Sequence, residues 1–591
     1  MNRSSRHILI YDGDCAFCQW WVDYWRTLGD GVDFRPFQAG LEEFPGLDQQ
    51  SCRESIQFIT PQGEIFAGAR AAFLVLAVNG YAIWLRVYQL HPWLARAFEF
   101  AYGWIARRRD TALAGARFLW GDARVAARYE RAGILFSRAI ALFYLVAFAS
   151  LWTQWRGLYG ATGIAPISVF LDSAAIALGP DAYLQLPSVF WLASGDAWLE
   201  FSLGAGMGLS ILALLPRLTT LCLAGCFAIY LSWFSVGQPF MSFQWDLLLL
   251  EAGFLSLFLG TRHPAVPFLF KCLLFRFMFL SGCVKLLSGD AAWATLSALE
   301  FHYETQPLPT PLAWYAHHLA DWFHHLCVAV TFVIELVFPF LIFLPRRPRM
   351  LAAAGFLGLE ALIFLTGNYN FFNLLTVALV IFLFEDQQLR QQSRHRGPTS
   401  GVFGRKVIST TAAVVIALNL YYLARPFVGR SMPVLVDRTV ARVAPLRIVN
   451  GYGLFAVMTT TRPEIEIQGS NNGLQWQAYE FVYKPGPVDR PLRWNIPHQP
   501  RLDWQMWFAA LSDARREYWF GNLMQRLLVG EPAVLDLFAA NPFPTSPPRY
   551  LRAVLYEYSF ASPQQRQRTG AIWQRRASGL FYPRVNLQPD T

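Results

Sequence analysis

From Gly133 onward the chain repeatedly runs for about 17–22 residues with little interruption in apolar character. Coiled as a helix, such a run is long enough to cross a ~30 Å hydrocarbon layer. Lipid offers no water to backbone N–H and C=O groups, so these runs must be helices rather than open strands. Nine are counted, at about 133–153, 199–215, 218–236, 246–260, 266–288, 325–344, 350–366, 371–385 and 408–424. Only 15% of the residues are charged, against ~25% in soluble domains. The reading is a polytopic α-helical membrane protein of about nine spans, with a unit of different character at each end.

Charge placement gives an orientation. Arginines gather at Arg107, Arg108, Arg109, Arg124, Arg128 and Arg131 before the first run. They return at Arg217, at Arg262, at Arg346, Arg347 and Arg349, and at Arg390, Arg394, Arg396, Arg405 and Lys406. These are alternate loops, and the loops between them (156–198, 237–245, 289–324 and 367–370) carry almost no Lys or Arg beyond Arg156. By the positive-inside rule the N-terminus is cytosolic and the C-terminal region lies across the membrane, which an odd span count also requires. The net charge of +10 is accounted for by these loops and calls for no nucleic acid. The first thirty residues hold Asp12, Asp14 and Asp23 and no apolar core, so no cleavable leader is expected.

Residues 1–118 read as a small α/β domain. HILIYD (7–12), VDFRPFQ (32–38) and SIQFIT (55–60) read as strands, and the stretch after Cys15 as a helix with Trp20, Tyr24 and Leu28 on one stripe. Strand, CxxC, helix, strand is a thioredoxin-like order. The run YDGDCAFC (11–18) and the later GARAA resemble the DCC family of thiol–disulfide oxidoreductases over about residues 6–115. The resemblance implies a redox dithiol at Cys15 and Cys18. A helix N-terminus favours a thiolate there, while Asp12 and Asp14 oppose one. Glu54 or Ser55 stands where thioredoxins place a proline beside the dithiol. Structural thiols and half a zinc site are the other readings of the CxxC, although neither a second CxxC nor paired histidines lie nearby.

Residues 425–448 read as a polar linker after the last of the 133–424 spans. The 425–591 region then reads as a β-rich domain with a helical insert at 502–528. EIEI and AYEFVY alternate between NNG and KPG turns, and RAVLYEYSF and GLFYP close the sheet. This region contains no cysteine, so its apolar core must hold it without disulfides. One linker joining it to the spans predicts two separable units.

Three separated segments carry a second resemblance. PHQPRLDWQMWF (497–508), GYGLFAVMTTTRPEIEIQGS (451–470) and HYETQPLPTPLAWYAHHL (302–319) resemble, in order, the lipase maturation factor family, over about the last three quarters of the chain. The resemblance implies a folding helper whose partner is a nascent or secreted lipase-like protein. The membrane is then a bacterial inner membrane or the endoplasmic reticulum. Loop 289–324 and the 451–590 domain are the expected working surface. Its candidate partner-binding residues are His302, Tyr303, Glu304, Arg501, Asp503, Trp504 and Trp507, with Arg501 and Asp503 read as a pair. The aromatic load at Trp476, Trp494, Trp504, Trp507 and Trp519 fits core packing or a client-binding or membrane-resting face equally well.

A rival enzyme reading rests on FMFLSGCVKLLSGDAAW (277–293), which resembles the helical bundle of vitamin K-dependent carboxylases. It singles out Lys285 as a base, with His302, Tyr303 and Glu304 converging on it. Against it, ionisable residues inside spans are usually paired, and Glu251, Lys271, Arg276, Lys285, Glu335 and Glu360 with Asp246 can neutralise one another. His317 and His324, seven apart on one expected helix, sit too far apart for one metal. Gly204 and Gly208 fit helix packing. No nucleotide loop, Ser-His-Asp order or HExxH motif occurs, and no cofactor is expected.

Overall fold

The computed structural model describes residues 6–122, 124–389, 402–429 and 432–587; Arg390, Arg394 and Arg396 of the basic loops lie outside the described residues. The chain forms two compact units, Met1–Arg128 with Phe343–Leu351, and Tyr129–Ile342 with Ala352–Thr591.

The first unit has the expected thioredoxin-like order. β1 (His7–Tyr11) pairs in parallel with β2 (Val32–Pro36) and antiparallel with β3 (Gln57–Ile59), which pairs with β4 (Ile65–Ala67), giving the sheet order β2-β1-β3-β4. α1 (Ala16–Arg26) is the parallel crossover between β1 and β2. Leu9, Val22, Trp25, Phe58 and Val75 meet in one core, with Val75 supplied by α3 (Gly68–Val78). α2 (Gln49–Glu54) precedes β3, and α4 (Ile83–Leu90), α5 (Pro92–Ala106) and α6 (Arg109–Trp120) complete the unit.

In the second unit, seven helices are long and apolar enough to cross a membrane among the described residues: Glu130–Trp152, Ile167–Gln185, Thr219–Val236, Ala265–Leu287, Asp321–Leu341, Arg346–Thr366 and Gly404–Val428. Six coincide with expected spans. The runs at 199–215, 246–260 and 371–385 are helical but shorter, as Asp196–Leu212, Gln244–Ser256 and Phe372–Leu383. Thirteen residues in Gln244–Ser256 rise only ~20 Å. That helix is buried nearly all round, which explains its uniform apolar character without a membrane-length span. Ile167–Gln185, expected in a loop, is helical but breaks at Gly179 (φ 57°) before Pro180.

Close packing depends on two glycines. A Cβ on Gly206 would lie 2.8 Å from the Phe148 ring, whereas one on Gly208 would meet nothing within 4 Å. The close approach therefore falls between Gly204 and Gly208, the positions expected from the sequence. A Cβ on Gly282 would lie 2.7 Å from Leu336. The second helix at that crossing carries a π-turn at Val333–Val337, which inserts a residue into the helical ladder where Glu335 sits. Lys285, one turn beyond Gly282, meets both Glu335 oxygens at 2.8 Å.

The C-terminal region is a four-stranded antiparallel sheet, β10-β9-β5-β6, beside a two-stranded pair, β7-β8. The strands are β5 (Arg462–Ser470), β6 (Gln477–Ala478), β7 (Glu480–Phe481), β8 (Phe538–Ala540), β9 (Tyr550–Phe560) and β10 (Trp573–Val585). The expected helix 502–528 is two helices, Arg501–Ala510 and Tyr518–Val529. Between them Asp513 accepts the Arg515 N–H at 2.8 Å, an Asx contact that competes with helical bonding. The expected polar linker also contains a helix, Val434–Val443.

Separability is the expectation the structure corrects. Bundle and C-terminal region form one compact unit, because residues 450–508 hydrogen-bond and ion-pair with the membrane helices at many points. Truncation after Val428 should therefore leave Asp246 without Arg501 and Glu251 without Asn450 and Tyr452, and yield an aggregated bundle. Size-exclusion chromatography in mild detergent checks this; a monodisperse truncated bundle with the thermal midpoint of the full chain would contradict it.

Candidate functional site

The segment 497–508 lies between bundle and sheet, and its polar residues are spent on fixing that position. The Ser150 hydroxyl, on the Glu130–Trp152 helix, lies 2.9 Å from His498 Nδ1 and accepts the Gln499 N–H at 2.9 Å. The Gln154 side chain donates to the Gln499 carbonyl at 2.8 Å and accepts the Arg501 N–H at 2.8 Å. Asn370 donates to the Gln499 side chain. Burial and then the Arg501 charge lower the His498 pKa to about 4, so the imidazole is neutral at physiological pH.

Arg501 does not pair with Asp503. Its guanidinium meets Asp246 at 3.0 and 3.2 Å and donates to the Phe240 carbonyl at 2.5 Å, with both side chains at most 1% exposed. Tyr230 donates to the same carboxylate. Burial works against the Arg501 charge, yet Asp246 and its neighbours more than offset it, and the pKa is raised. Asp503 instead accepts the Tyr483 and Lys484 N–H groups, each at 2.8 Å, while burial raises its pKa. The Trp504 ring packs 4.7 Å from Trp245 and 5.7 Å from Tyr369, and Trp507 donates to the Thr305 carbonyl at 2.8 Å. Arg501, Asp503 and Trp504 are buried and thus closed to direct client contact in this conformation.

A second buried cluster does the same at residues 450–452. Glu251 pairs with Arg276 and accepts the Asn450 N–H at 3.0 Å and the Tyr452 hydroxyl at 2.9 Å. Arg276 also donates to Asn419 of the last membrane helix. Lys271 donates to the Tyr129 hydroxyl at 2.6 Å, and Asn373 to Glu360 at 2.6 Å. These residues, with Asp246 and the Lys285–Glu335 pair, are held by mutual or polar partners, as expected of charge in lipid.

His302, Tyr303 and Glu304 share the short helix Ala298–Thr305; of the three only His302 lies within reach of the Lys285 charge, and Tyr303 and Glu304 turn to other partners. His302 packs against Phe455 at 5.0 Å, and burial with the Lys285 charge lowers its pKa to about 4. Tyr303 faces His324 at 5.7 Å. Glu304 accepts the Phe560 N–H at 2.6 Å, which ties this helix to the end of β9. Arg462, at the start of β5, donates to the Glu304, Gln306 and Pro307 carbonyls and pairs with Glu464 at 2.8 Å. A lysine acting as base must be neutral; Lys285 is clamped by Glu335 and also donates to the Ser281 carbonyl at 3.1 Å. The enzyme reading finds no support in this geometry.

The histidines 317 and 324 lie on separate helices, Ala313–His317 and Asp321–Phe332, rather than on one. No group of three or more His, Cys, Asp or Glu side chains suited to a metal occurs among the described residues.

The dithiol sits in the first unit. Cys15 is the N-cap of α1, its Sγ accepting the Cys18 N–H at 3.4 Å. Burial and then Cys15 push the Cys18 thiol up to about 12. Cys18 also lines an apolar cavity of about 290 Å³ with Trp21, Ile56, Phe73, Phe98 and Tyr102. Arg109 at the cavity edge donates to the Arg53 and Glu54 carbonyls at 2.5 and 3.1 Å, bracing the loop where thioredoxins carry the proline. Sequence reasoning missed Arg109 in this role, having counted it only among the basic residues.

A further feature is absent from the sequence reading. A groove of about 350 Å³ opens on the C-terminal sheet, lined by Trp476, Tyr479, Tyr556 and Tyr558 together with Glu466 and Arg575. These residues come from four separate stretches of chain and no local pattern joins them.

Comparison with known proteins places this architecture. Residues 131–391 match the lipase maturation factor transmembrane domain, residues 448–583 the lipase maturation factor C-terminal domain, and residues 9–114 the DCC1-like thiol-disulfide oxidoreductase family. Lipase maturation factor 2 of Rattus norvegicus is 35% identical over 601 residues, covering 77% of this chain and 83% of the relative. The Homo sapiens protein of that name is 35% identical with the same coverage. Lipase maturation factor 1 of Mus musculus is 32% identical, covering 77% of this chain and 87% of the relative. No solved structure matches. The membrane and C-terminal regions thus match one family in order, with a separate DCC1-like match ahead of them, and the chain belongs to the lipase maturation factor family.

Proposed function

We propose that this protein assists the folding of exported lipases, or of secreted proteins like them, by holding their unfolded stretches in the groove of the C-terminal sheet. The names of its relatives point to lipases as clients. The observation that carries the mode of action is a division of labour. The charged residues around segment 497–508 are consumed in internal pairs, while the groove on the sheet stays open, lined by aromatic rings and by the mutually paired Glu466 and Arg575. Such a lining suits extended peptide, whose apolar side chains and backbone need partners together. The C-terminal region has no cysteine, so this holding is noncovalent. His302, Tyr303, Glu304, Arg501, Asp503, Trp504 and Trp507 act on the client indirectly, by fixing the sheet against the bundle.

The alternation of basic loops supports a cytosolic N-terminus with the groove across the membrane, in a periplasm or an endoplasmic reticulum lumen. The dithiol then exchanges with a separate pool of proteins. The Cys15 thiolate attacks a substrate disulfide and releases one thiolate; Cys18 passes its proton to a departing substrate thiolate, displaces the second sulfur and closes the Cys15–Cys18 disulfide.

Two experiments test this reading. Deleting the gene should lower the specific activity of the exported lipase per unit of lipase protein. Trp476→Ala with Tyr556→Ala should reproduce about tenfold of that loss without changing the amount or thermal midpoint of the membrane protein. Unchanged specific activity of every exported lipase in the deletion strain removes the maturation reading. For orientation, Cys15 and Cys18 should react with a membrane-impermeant maleimide only in opened cells; labelling in intact cells reverses the topology.

A further inference from the structure

α4 and α5 of the first unit have two apolar faces where one would suffice. The inner face of α5, with Phe98, Tyr102 and Ile105, lines the cavity beside Cys18, and Phe98 packs 5.1 Å from Phe73 of α3. The outer face carries Trp93, Ala97, Phe100 and Trp104 at helical spacing, all exposed, with Trp93 at 60%, Phe100 at 73% and Trp104 at 47%. α4 adds Ile83 at 61%, Trp84 at 50% and Leu90 at 76%. A helix apolar on both faces is normally buried on both, and a contiguous exposed patch of this kind marks a binding surface.

Three observations name what covers it. Arg86 and Arg96 are exposed on these two helices and Arg107 and Arg108 directly after α5, and the Arg108 guanidinium lies 5.0 Å over the Trp104 ring. Glu99 is the only acidic residue in 81–109. It is turned inward, accepting the Ala69 and Arg70 N–H groups at 3.0 and 3.1 Å and the Tyr88 hydroxyl at 3.0 Å. The outer surface is therefore aromatic and cationic with no opposing charge on its own helices. Tryptophan flanked by arginine fits the headgroup layer, where rings bury partway and guanidinium groups meet phosphate. The third observation is the tether. The Ala126 N–H is bound to the Thr27 hydroxyl at 2.9 Å, and the first membrane helix starts at Glu130. Four extended residues reach at most ~14 Å, so this surface meets the bilayer at high effective concentration and needs little intrinsic affinity.

We propose that the outer face of α4 and α5 is an interfacial membrane-binding surface, seated in the anionic headgroup layer of the bilayer that holds the chain's own helices. It is independent of the client reading. It also places the dithiol cavity, on the other face of α5, next to the membrane surface.

The test uses the full chain in nanodiscs with and without anionic phospholipid. The photocrosslinker p-benzoylphenylalanine replaces Trp93, Phe100 or Trp104, and in a control exposed Gln50 of α2. After illumination, mass spectrometry should find phospholipid adducts at the three patch positions and not at Gln50. Arg96→Glu with Arg107→Glu should cut those adducts about fivefold or more in anionic nanodiscs and little in zwitterionic ones. Unaltered thiol labelling of Cys15 shows that the domain remains folded. Adducts only to protein, whether a second copy or another chain, would overturn the proposal, as would lipid adducts no more frequent than at Gln50. Adducts indifferent to lipid charge and to the arginine substitutions would overturn its anionic specificity.

Discussion

One buried ion pair, Arg501 with Asp246, sets the terms for the rest of the second unit. A carboxylate in the interior of a membrane bundle is costly alone, and removing one member of a buried pair costs ~3–5 kcal/mol. The bundle supplies Asp246 from the short helix Gln244–Ser256, and the C-terminal region supplies the cation. Neither part is electrostatically complete without the other. The same logic repeats at Glu251, whose second oxygen is reserved for Asn450 and Tyr452. The sheet is thereby held at a defined place against the bundle, and its open groove inherits that position.

This arrangement explains why so few of the striking-looking residues are available for chemistry. Lys285 is committed to Glu335 through a crossing that depends on Gly282 and a π-turn. Arg462 at the start of β5 clamps the carbonyls of Glu304, Gln306 and Pro307. A scaffold that spends its charges internally leaves shape and aromatic surface as its means of recognition, which suits a helper of folding better than a catalyst.

Much of the fold was legible because it rests on local periodicity. Long apolar runs gave six of the membrane helices, alternation gave β5, the closing run RAVLYEYSF gave β9, and the strand–CxxC–helix order gave the first unit. What escaped depended on long-range partners. Arg501 and Asp503 are two residues apart and opposite in charge, which suggests a pair, but helical geometry sends them to different faces. Arg501 finds Asp246, 255 residues away. Trp504 and Trp507 read equally well as surface or core, and only the neighbouring Trp245 and Thr305 decide between them. The run at 246–260 looked like a span because burial among helices and burial in lipid select the same residues.

A double-mutant cycle on Arg501 and Asp246 in the purified full chain tests the central claim most directly. Arg501→Met and Asp246→Leu should each lower the thermal midpoint strongly, because each strands one buried charge. The double variant strands neither and should be at least as stable as either single variant. Losses that simply add in the double variant, or single variants as stable as the unmodified protein, would contradict the account.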